Sequence, residues 1–271
     1  MSESILLGAV AYDPKVVTIW EGIRDYFRGE GVDLDFALFS NYERQVDTLL
    51  AGHIDIAWNT PLAHVRVQRR TEGRSRSLGM RDSDRDFHAK VVVRRDAGIR
   101  ALADLAGKTL AVGSRDSTQA RILPLHFLRQ EGVALDRVSL LPFDTDLGKH
   151  GDTGTSEIDV LRAVLAGKAD AGALGSPVWS GVQAQALVPE GLAEVWTSPP
   201  YSHCMFTARP GLDDDIGRRF ADALSKMSFD DPRHRPVLEA EGLKRWLPAD
   251  VSGYGCLREA GHTQGFFRRP A

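Results

Sequence analysis

The chain has 271 residues, 34 basic against 37 acidic side chains for a net charge of −3, and 42% of it is hydrophobic. That composition excludes wholesale disorder, a collagen-like fibre and a disulfide scaffold, and the length is one at which a single core tends to divide into two. The near-neutral charge gives no general electrostatic reason to bind nucleic acid or an anionic membrane, and no stretch approaches the ~20 apolar residues of a membrane-spanning helix.

Met1-Ser2-Glu3-Ser4 lacks the basic region, long apolar segment and small-residue cleavage site of an export signal. The expectation is a cytoplasmic protein, or a periplasmic one whose export signal has been removed. Ile5–Ala11 then reads as a short buried strand ending at Tyr12-Asp13-Pro14. Lys15–Arg28 carries Val16, Ile19, Trp20, Ile23 and Phe27 at helical spacing, and Gly29 and Gly31 stop it. Val32–Phe39 alternates as a strand with Leu34, Phe36 and Leu38 on one face. A helix over Glu43–Ala51, closed by Gly52, leads to a strand at Ile54–Trp58, and Thr60-Pro61 opens the next helix. This β-α-β-α-β order predicts an α/β protein with a mostly parallel sheet.

After a polar stretch, Arg69–Asp86, the scheme restarts. Strands are expected at Lys90–Arg94, Lys108–Val112, Val138–Phe143 and Ala169–Leu174. Between them fall a short helix at Leu102–Ala106, a long one from Asp116/Ser117 to about Glu131 that Pro124 kinks, and another at Ile158–Ala166. Leu50-Ala51-Gly52-His53-Ile54-Asp55-Ile56-Ala57 is echoed by Leu165-Ala166-Gly167-Lys168-Ala169-Asp170-Ala171-Gly172, which supports two lobes of related architecture. A second polar crossing, Thr197-Ser198-Pro199-Pro200, precedes a strand at Cys204–Ala208 and a helix at Asp214–Met227. The expected division is residues 1–92 with 202–271 in one lobe and 93–201 in the other, with two hinge crossings and a ligand cleft between lobes. Of the two cysteines, Cys204 reads as a buried thiol in its apolar strand.

The most informative segment is Ala111-Val112-Gly113-Ser114-Arg115-Asp116-Ser117-Thr118-Gln119, where a strand runs through a polar turn into a helix. Ser117 and Thr118 place hydroxyls and backbone N–H groups at a helix N-terminus, which suits either an oxyanion or plain capping. Tyr12, Tyr42, Asn59 and Thr60 follow strands of the first lobe, His88 precedes the presumed hinge strand, and Ser176 follows the last strand of the second lobe. Ligands of open α/β sheets bind outside the carboxyl ends of strands, so these positions are favoured. Glu157 and Asp159, at a helix start, either complement the dipole or accept hydrogen bonds from a protonated oxyanion or an ammonium group. Asp82, Asp84, Asp86 and His88 alternate like the start of a calcium loop, but the glycine and the final Glu are missing, so a solvated charged loop is expected. No zinc spacing, nucleophile elbow, Walker motif or dinucleotide fingerprint is present, and no metal or cofactor is expected.

Val91-Val92-Val93-Arg94-Arg95-Asp96-Ala97-Gly98-Ile99, Leu102–Val112, Ser117-Thr118 and Pro124–Leu128 together resemble the phosphate/phosphite/phosphonate-binding family of ABC-importer solute receptors. Gly52-His53-Ile54-Asp55-Ile56-Ala57-Trp58 resembles the strand pattern G-x-x-D-x-A of that family, and Gly167–Gly172 matches it more loosely. The likeness covers residues 5 to about 260. It implies a type 2 periplasmic-binding-protein fold, capture of a small phosphonate- or phosphate-like oxyanion, and the membrane subunits of an ABC transporter as partners, with no nucleic acid and no direct membrane insertion. In such receptors a Ser-Thr-Ser-Gly motif holds the phosphonate oxygens. Ser117 and Thr118 match it, whereas Gln119 and Ala120 replace its last two residues. Tyr42 resembles the family's aromatic position, His88 stands where a Tyr is frequent, and a family His is replaced around Ser156–Glu157. The alternative is a cytoplasmic enzyme of decarboxylase or dehydratase type, or a soluble ligand sensor, on the same scaffold. No convincing nucleophile or acid/base pair stands behind the enzyme.

Overall fold

In the computed structural model, which describes residues 4–11, 14–144, 155–184 and 191–267, the chain divides into two units. Unit one comprises Met1–Asp86 and Ser202–Tyr254, and unit two Phe87–Tyr201 and Gly255–Ala271. The elements in chain order are β1 (Ile5–Val10), α1 (Lys15–Gly29), β2 (Leu34–Phe39), α2 (Tyr42–Leu50), β3 (Ile56–Asn59), α3 (Pro61–Arg70) and β4 (Arg76–Arg81). Unit two follows with β5 (Ala89–Arg94), β6 (Thr109–Val112), α4 (Leu123–Gln130), β7 (Ser139–Pro142), α5 (Thr155–Leu165), β8 (Ala171–Gly175), α6 (Ser176–Ala184) and β9 (Leu192–Thr197). Last come β10 (Met205–Ala208), α7 (Asp214–Lys226), α8 (Arg235–Glu241), β11 (Trp246–Leu247) and α9 (Tyr254–Thr263).

The sheet of unit one runs β11-β4-β10-β3-β1-β2. Because successive side chains of a strand point to opposite faces, Ile5, Leu7 and Ala9 enter one apolar cluster with Trp20, Ile23, Phe27 and Phe220. Leu6 and Val10 enter another with Val46, Leu49 and Ala63. Helices therefore cover both faces. The sheet of unit two runs β7-β6-β8-β5-β9. There Val91 and Val93 pack with Leu125 and Leu128, while Val92 packs with Val160, Leu161 and Val164.

Both sheets are mixed where the sequence suggested mostly parallel ones. β1 pairs in parallel with β2 and β3, and β6 with β7 and β8. The first strand after each of the first two passages between units, β5 and β10, runs antiparallel to both its neighbours. The unit boundaries also differ from the expected ones. β5 belongs to unit two because its whole length pairs with β8 and β9, and the chain passes between units a third time at α9. Three strands are absent from the sequence reading, β4, β9 and the two-residue β11, which pairs with β4 where only helices and an irregular tail were expected. β4 lies inside the polar stretch 69–86 because its terminal arginines are bonded: Arg76 Nη2 donates to the Leu212 and Asp213 carbonyls, and Arg81 chelates Asp84. β9 is a half-exposed edge strand whose Glu194 pairs with Lys90 at 2.8 Å.

The sequence echo has one structural cause in both units. Gly52 and Gly167 end their helices at φ +79° and +69°, a conformation in which glycine carries no side-chain penalty. The aspartate that follows then braces the neighbouring parallel strand. Asp55 N donates to Leu6 O while Asp55 Oδ2 accepts from Leu6 N, and Asp170 does the same with Thr109.

Asp84 overturns the expectation of a solvated charged loop. It is fully buried, accepting from Arg81 Nε at 2.6 Å and Nη2 at 2.9 Å, with His203 Nδ1 at 3.1 Å. Burial alone would raise its carboxyl, but the charge of Arg81 and the bonds from His203 and Arg81 override it and hold the group well below the usual carboxylate range. Tyr254 Oη donates to the His203 carbonyl, and His203 N to the Asp84 carbonyl, so one buried network ties together the chain ends at all three passages in unit one.

Candidate functional site

In unit two, β6 delivers the chain to Gly113, whose N–H donates to Ala120 O at 3.0 Å. A Cβ at this position would stand 2.7 Å from Ala120 Cβ, so only glycine allows the strand end to lie this close to the helix start. Ser117 N donates to Ser114 O to close the turn. The helix then opens with a π turn over Thr118–Ile122, with Ile122 N bonded to Ser117 O, before it tightens into α4. Pro124 falls in the first turn of α4, directly after the π turn, where its missing N–H is tolerated.

Ser117 is the N-cap, its Oγ accepting from Ala120 N at 3.1 Å. Thr118 Oγ1 is different. It is buried, with no hydrogen-bond partner among the described residues, in a residue that is 2% exposed. Ser156 Oγ, in the first turn of α5, is likewise buried and unbonded. The Cβ position of Gly113 lies 3.6 Å from Ser156 Oγ and 3.7 Å from Ser117 Cβ, so two helix N-termini meet at this glycine. Their dipoles and orphan donors make the place favourable to negative charge. Next to it, Gln119 Nε2 donates to Glu157 Oε1 at 2.9 Å and Gly175 N to Glu157 Oε2 at 2.7 Å. Glu157 thus joins the helix start to the end of β8. Arg121, on the same π turn, has Nη1 3.9 Å from Asp144 Oδ2, and burial pushes its guanidinium below the ordinary value while Asp144 opposes this.

The other expected residues divide by their surroundings. In unit two, Ser176 Oγ accepts from the His88 backbone N–H at 3.2 Å, and His88 Nδ1, 2.7 Å from the Ser198 carbonyl, carries the proton it donates there. Asp159 is engaged in a surface pair with Arg162 at 3.0 Å, outside the Gln119–Glu157–Gly175 network. In unit one, the Tyr42 ring packs in the apolar cluster of Val10, Val46 and Leu49, which makes it a core residue. Thr60 caps α3 without a side-chain bond. Asn59, fully buried at the carboxyl end of β3, accepts from Gln45 Nε2 at 2.9 Å through Oδ1, while its Nδ2 has no partner among the described residues. Tyr12 lies outside the described residues.

The sequence reading passes over Gln45, since a polar residue inside a helix stripe carries no signal of what it faces, and touches Ser156 only as part of the Ser156–Glu157 stretch where a family His is replaced. Among the described residues, one trio has donor atoms within 4.8 Å of one another, Asp84, His203 and Cys204. Arg81 already chelates both Asp84 oxygens, so the trio is read as part of the buried ion-pair network. Cys204 is buried as expected, its Sγ 3.1 Å from His203 Nδ1.

Two α/β units, each with a mixed sheet covered on both faces, make up the fold of the type 2 periplasmic binding proteins. A family model described as ABC transporter, phosphonate, periplasmic substrate-binding protein matches residues 9–254, and the chain belongs to that family. The probable ABC transporter phosphite binding protein PhnD1 of Prochlorococcus marinus (strain MIT 9301) is 24% identical over 241 residues, 85% of this chain and 78% of that one. The structure of that PhnD1 in complex with methylphosphonate superposes with a TM-score of 0.74 at 21% identity, covering 97% of this chain and 98% of the other. XAC2383 from Xanthomonas citri bound to ATP is similar to the same degree, with a TM-score of 0.74 and 21% identity over 98% of each chain. These matches are to binding proteins and lend the enzymatic alternative no support.

Proposed function

We propose that this chain is the receptor that captures a small phosphonate- or phosphate-like oxyanion for an ABC importer, without catalysing a reaction on it. The importer's membrane subunits are then its partners and the periplasm its compartment. The observation that carries the reading is the buried, unbonded Thr118 hydroxyl at the start of a 13-residue run of helix, joined at Gly113 by the equally unbonded Ser156 hydroxyl. An unsatisfied buried hydroxyl is costly, and an oxyanion accepting from it removes that cost. In this reading Ser117 supplies the turn, Thr118 and Ser156 the side-chain donors, and Gln119 and Glu157 the frame behind them. The names of the relatives support phosphite and methylphosphonate as the first ligands to try. Each charge-assisted bond is worth roughly 1.5–3 kcal/mol, so a few of them suffice for micromolar affinity after ordering costs.

The test is calorimetric titration of the full chain with methylphosphonate, phosphite, phosphate and acetate, repeated on Thr118→Val. The expected result is oxyanion binding that weakens about 10- to 150-fold in the variant, with the melting temperature of the ligand-free protein unchanged. Equal affinity in the variant, or binding of none of these anions by the native chain, refutes the reading.

A further inference from the structure

Arg121 lies on the π turn that opens the helix after Ser117. Its side chain is 22% exposed, so it is largely withdrawn from water, and among the described residues its guanidinium has no hydrogen bond. Asp144 Oδ2 stands 3.9 Å from its Nη1, beyond hydrogen-bond reach. That same oxygen accepts from the Arg115 backbone N–H at 3.2 Å, so a main-chain donor and a guanidinium face one carboxylate oxygen. The Asp144 side chain is itself 31% exposed, which leaves the position open to solvent. Burial lowers Arg121 from its ordinary value, Asp144 opposes this, and the exposed Arg115 adds to it, so two guanidiniums bear on this one acid. Phe143 N donates to Val112 O at 2.8 Å, which sets Asp144 beside the carboxyl ends of β6 and β7. Ligands of open α/β sheets are met at that end.

We propose that Arg121, with Arg115 beside it, is a subsite in unit two for a second acidic group on the ligand, a carboxylate or a phosphate that takes the place Asp144 holds now. A guanidinium is a planar fork that meets either group with two parallel hydrogen bonds, whereas Asp144 gives it none. Asp144 is the resident stand-in: its carboxylate shows that an anion is accepted there by a main-chain N–H and a guanidinium together. The proposal rests on the reading of the chain as an oxyanion receptor and narrows the ligand to one with two acidic groups, such as a carboxyalkyl phosphonate or a diphosphate. Thr118 and Arg121 stand three residues apart on the one turn, so the same stretch of unit two meets both groups. A plain surface ion pair of Arg121 and Asp144 is the alternative, and it gives no dependence on the ligand's second charge.

The experiment is calorimetry of the full chain with phosphonoacetate against isobutylphosphonate, which has the same skeleton and no carboxylate. The native protein is expected to prefer phosphonoacetate at least ~10-fold, the worth of one charge-assisted hydrogen bond. In Arg121→Met this preference is expected to fall below ~3-fold. In Asp144→Asn, which removes the competing charge, it is expected to rise by about 2- to 5-fold. Should Arg121→Met fail to fold, Asp144→Asn carries the test alone, and a preference that stays level or falls in it overturns the subsite. Equal binding of both phosphonates by the native chain, or a native preference kept in Arg121→Met, overturns the subsite and leaves the oxyanion receptor standing. Binding of neither, nor of methylphosphonate, phosphite or phosphate, overturns both.

Discussion

Replacing Asp84 by Asn leaves the Arg81 guanidinium buried beside a neutral amide. Arg81 is 16% exposed and loses the partner that holds its Nε at 2.6 Å, while Glu241 Oε1 stays at 3.3 Å. Breaking one side of a buried ion pair costs about 3–5 kcal/mol, and the surviving Glu241 contact places this variant at the low end, about 3 kcal/mol. At about 2–4 °C per kcal/mol for a domain of 150–250 residues, the melting temperature falls by about 6–12 °C. Tryptophan fluorescence during urea unfolding is the assay suited to the place, because the Arg81 guanidinium lies 5.2 Å from the Trp58 ring, which stacks edgewise on Trp246 at 5.7 Å. The double variant Arg81→Met/Asp84→Leu removes both charges and is expected to recover most of the loss. Acid adds an independent check. The Asp84 carboxyl is held below the usual range when folded and titrates near ~3.9 when unfolded, so the unfolded chain binds the proton first. Its contribution is complete above that value and disappears as the pH falls below it, which makes the acid limb of the native protein steeper than that of Asp84→Asn. A loss under about 1 kcal/mol, or a double variant weaker than the single one, refutes the account of Asp84 as the anchor of a buried charge.

Other expectations are local. Gly172→Ala brings a Cβ within 2.6 Å of Val160 Cγ1 and 2.9 Å of Val164 Cγ2, so it should cost about 1–3 kcal/mol in chemical denaturation, and Val160→Ala should return much of that. Gly113→Ala presses on Ala120 Cβ and displaces the helix start, so methylphosphonate affinity should fall at least ~10-fold and recover when Ala120→Gly is added, as calorimetry will show. Burial holds the His126 imidazole below its ordinary value, although Glu259 opposes this, so the unfolded chain takes up that proton first near pH ~6.5. Stability should therefore decline as the pH falls from 7 through that value, and His126→Gln should flatten this limb in urea titrations at pH 7 and 5.5.

Much of the fold is legible in the chain because its signals are periodic. The helical stripe Val16, Ile19, Trp20, Ile23 and Phe27 is buried as its spacing demands, and Leu34, Phe36 and Leu38 share one cluster. β4 is hidden because Arg76 and Arg81 look like solvent groups, and only their long-range partners, Leu212, Asp213 and Glu241, reveal that they can be inside. Strand direction was hidden for a related reason. Nothing in Val91-Val92-Val93 says that β5 enters its sheet antiparallel, because a strand with both faces buried reads the same in either direction. Gly172 illustrates how packing edits a motif. Its counterpart Ala57 sits in the other copy of the same pattern, but α5 packs so closely on β8 that a methyl group no longer fits.

The choice between capping and ligand binding at the Ser117–Gln119 turn was open in the sequence because all three side chains suit both roles. Geometry divides the roles among neighbours. Ser117 uses its oxygen to cap Ala120 N, Gln119 turns away to Glu157, and Thr118 is left with a buried hydroxyl that has no partner among the described residues. Ser117 already supplies the side-chain cap here, so the Thr118 hydroxyl is not the capping group. The π turn has a part in this. It takes Ile122 N to the Ser117 carbonyl, so the first turn is wider than an α-turn at the point where the Thr118 hydroxyl is held. A helix distortion that costs hydrogen-bond quality is retained most readily where it serves a site. This one falls at the residue whose hydroxyl lacks a partner, which is why Thr118, and not the better N-cap residue beside it, is the position whose substitution should separate affinity from stability.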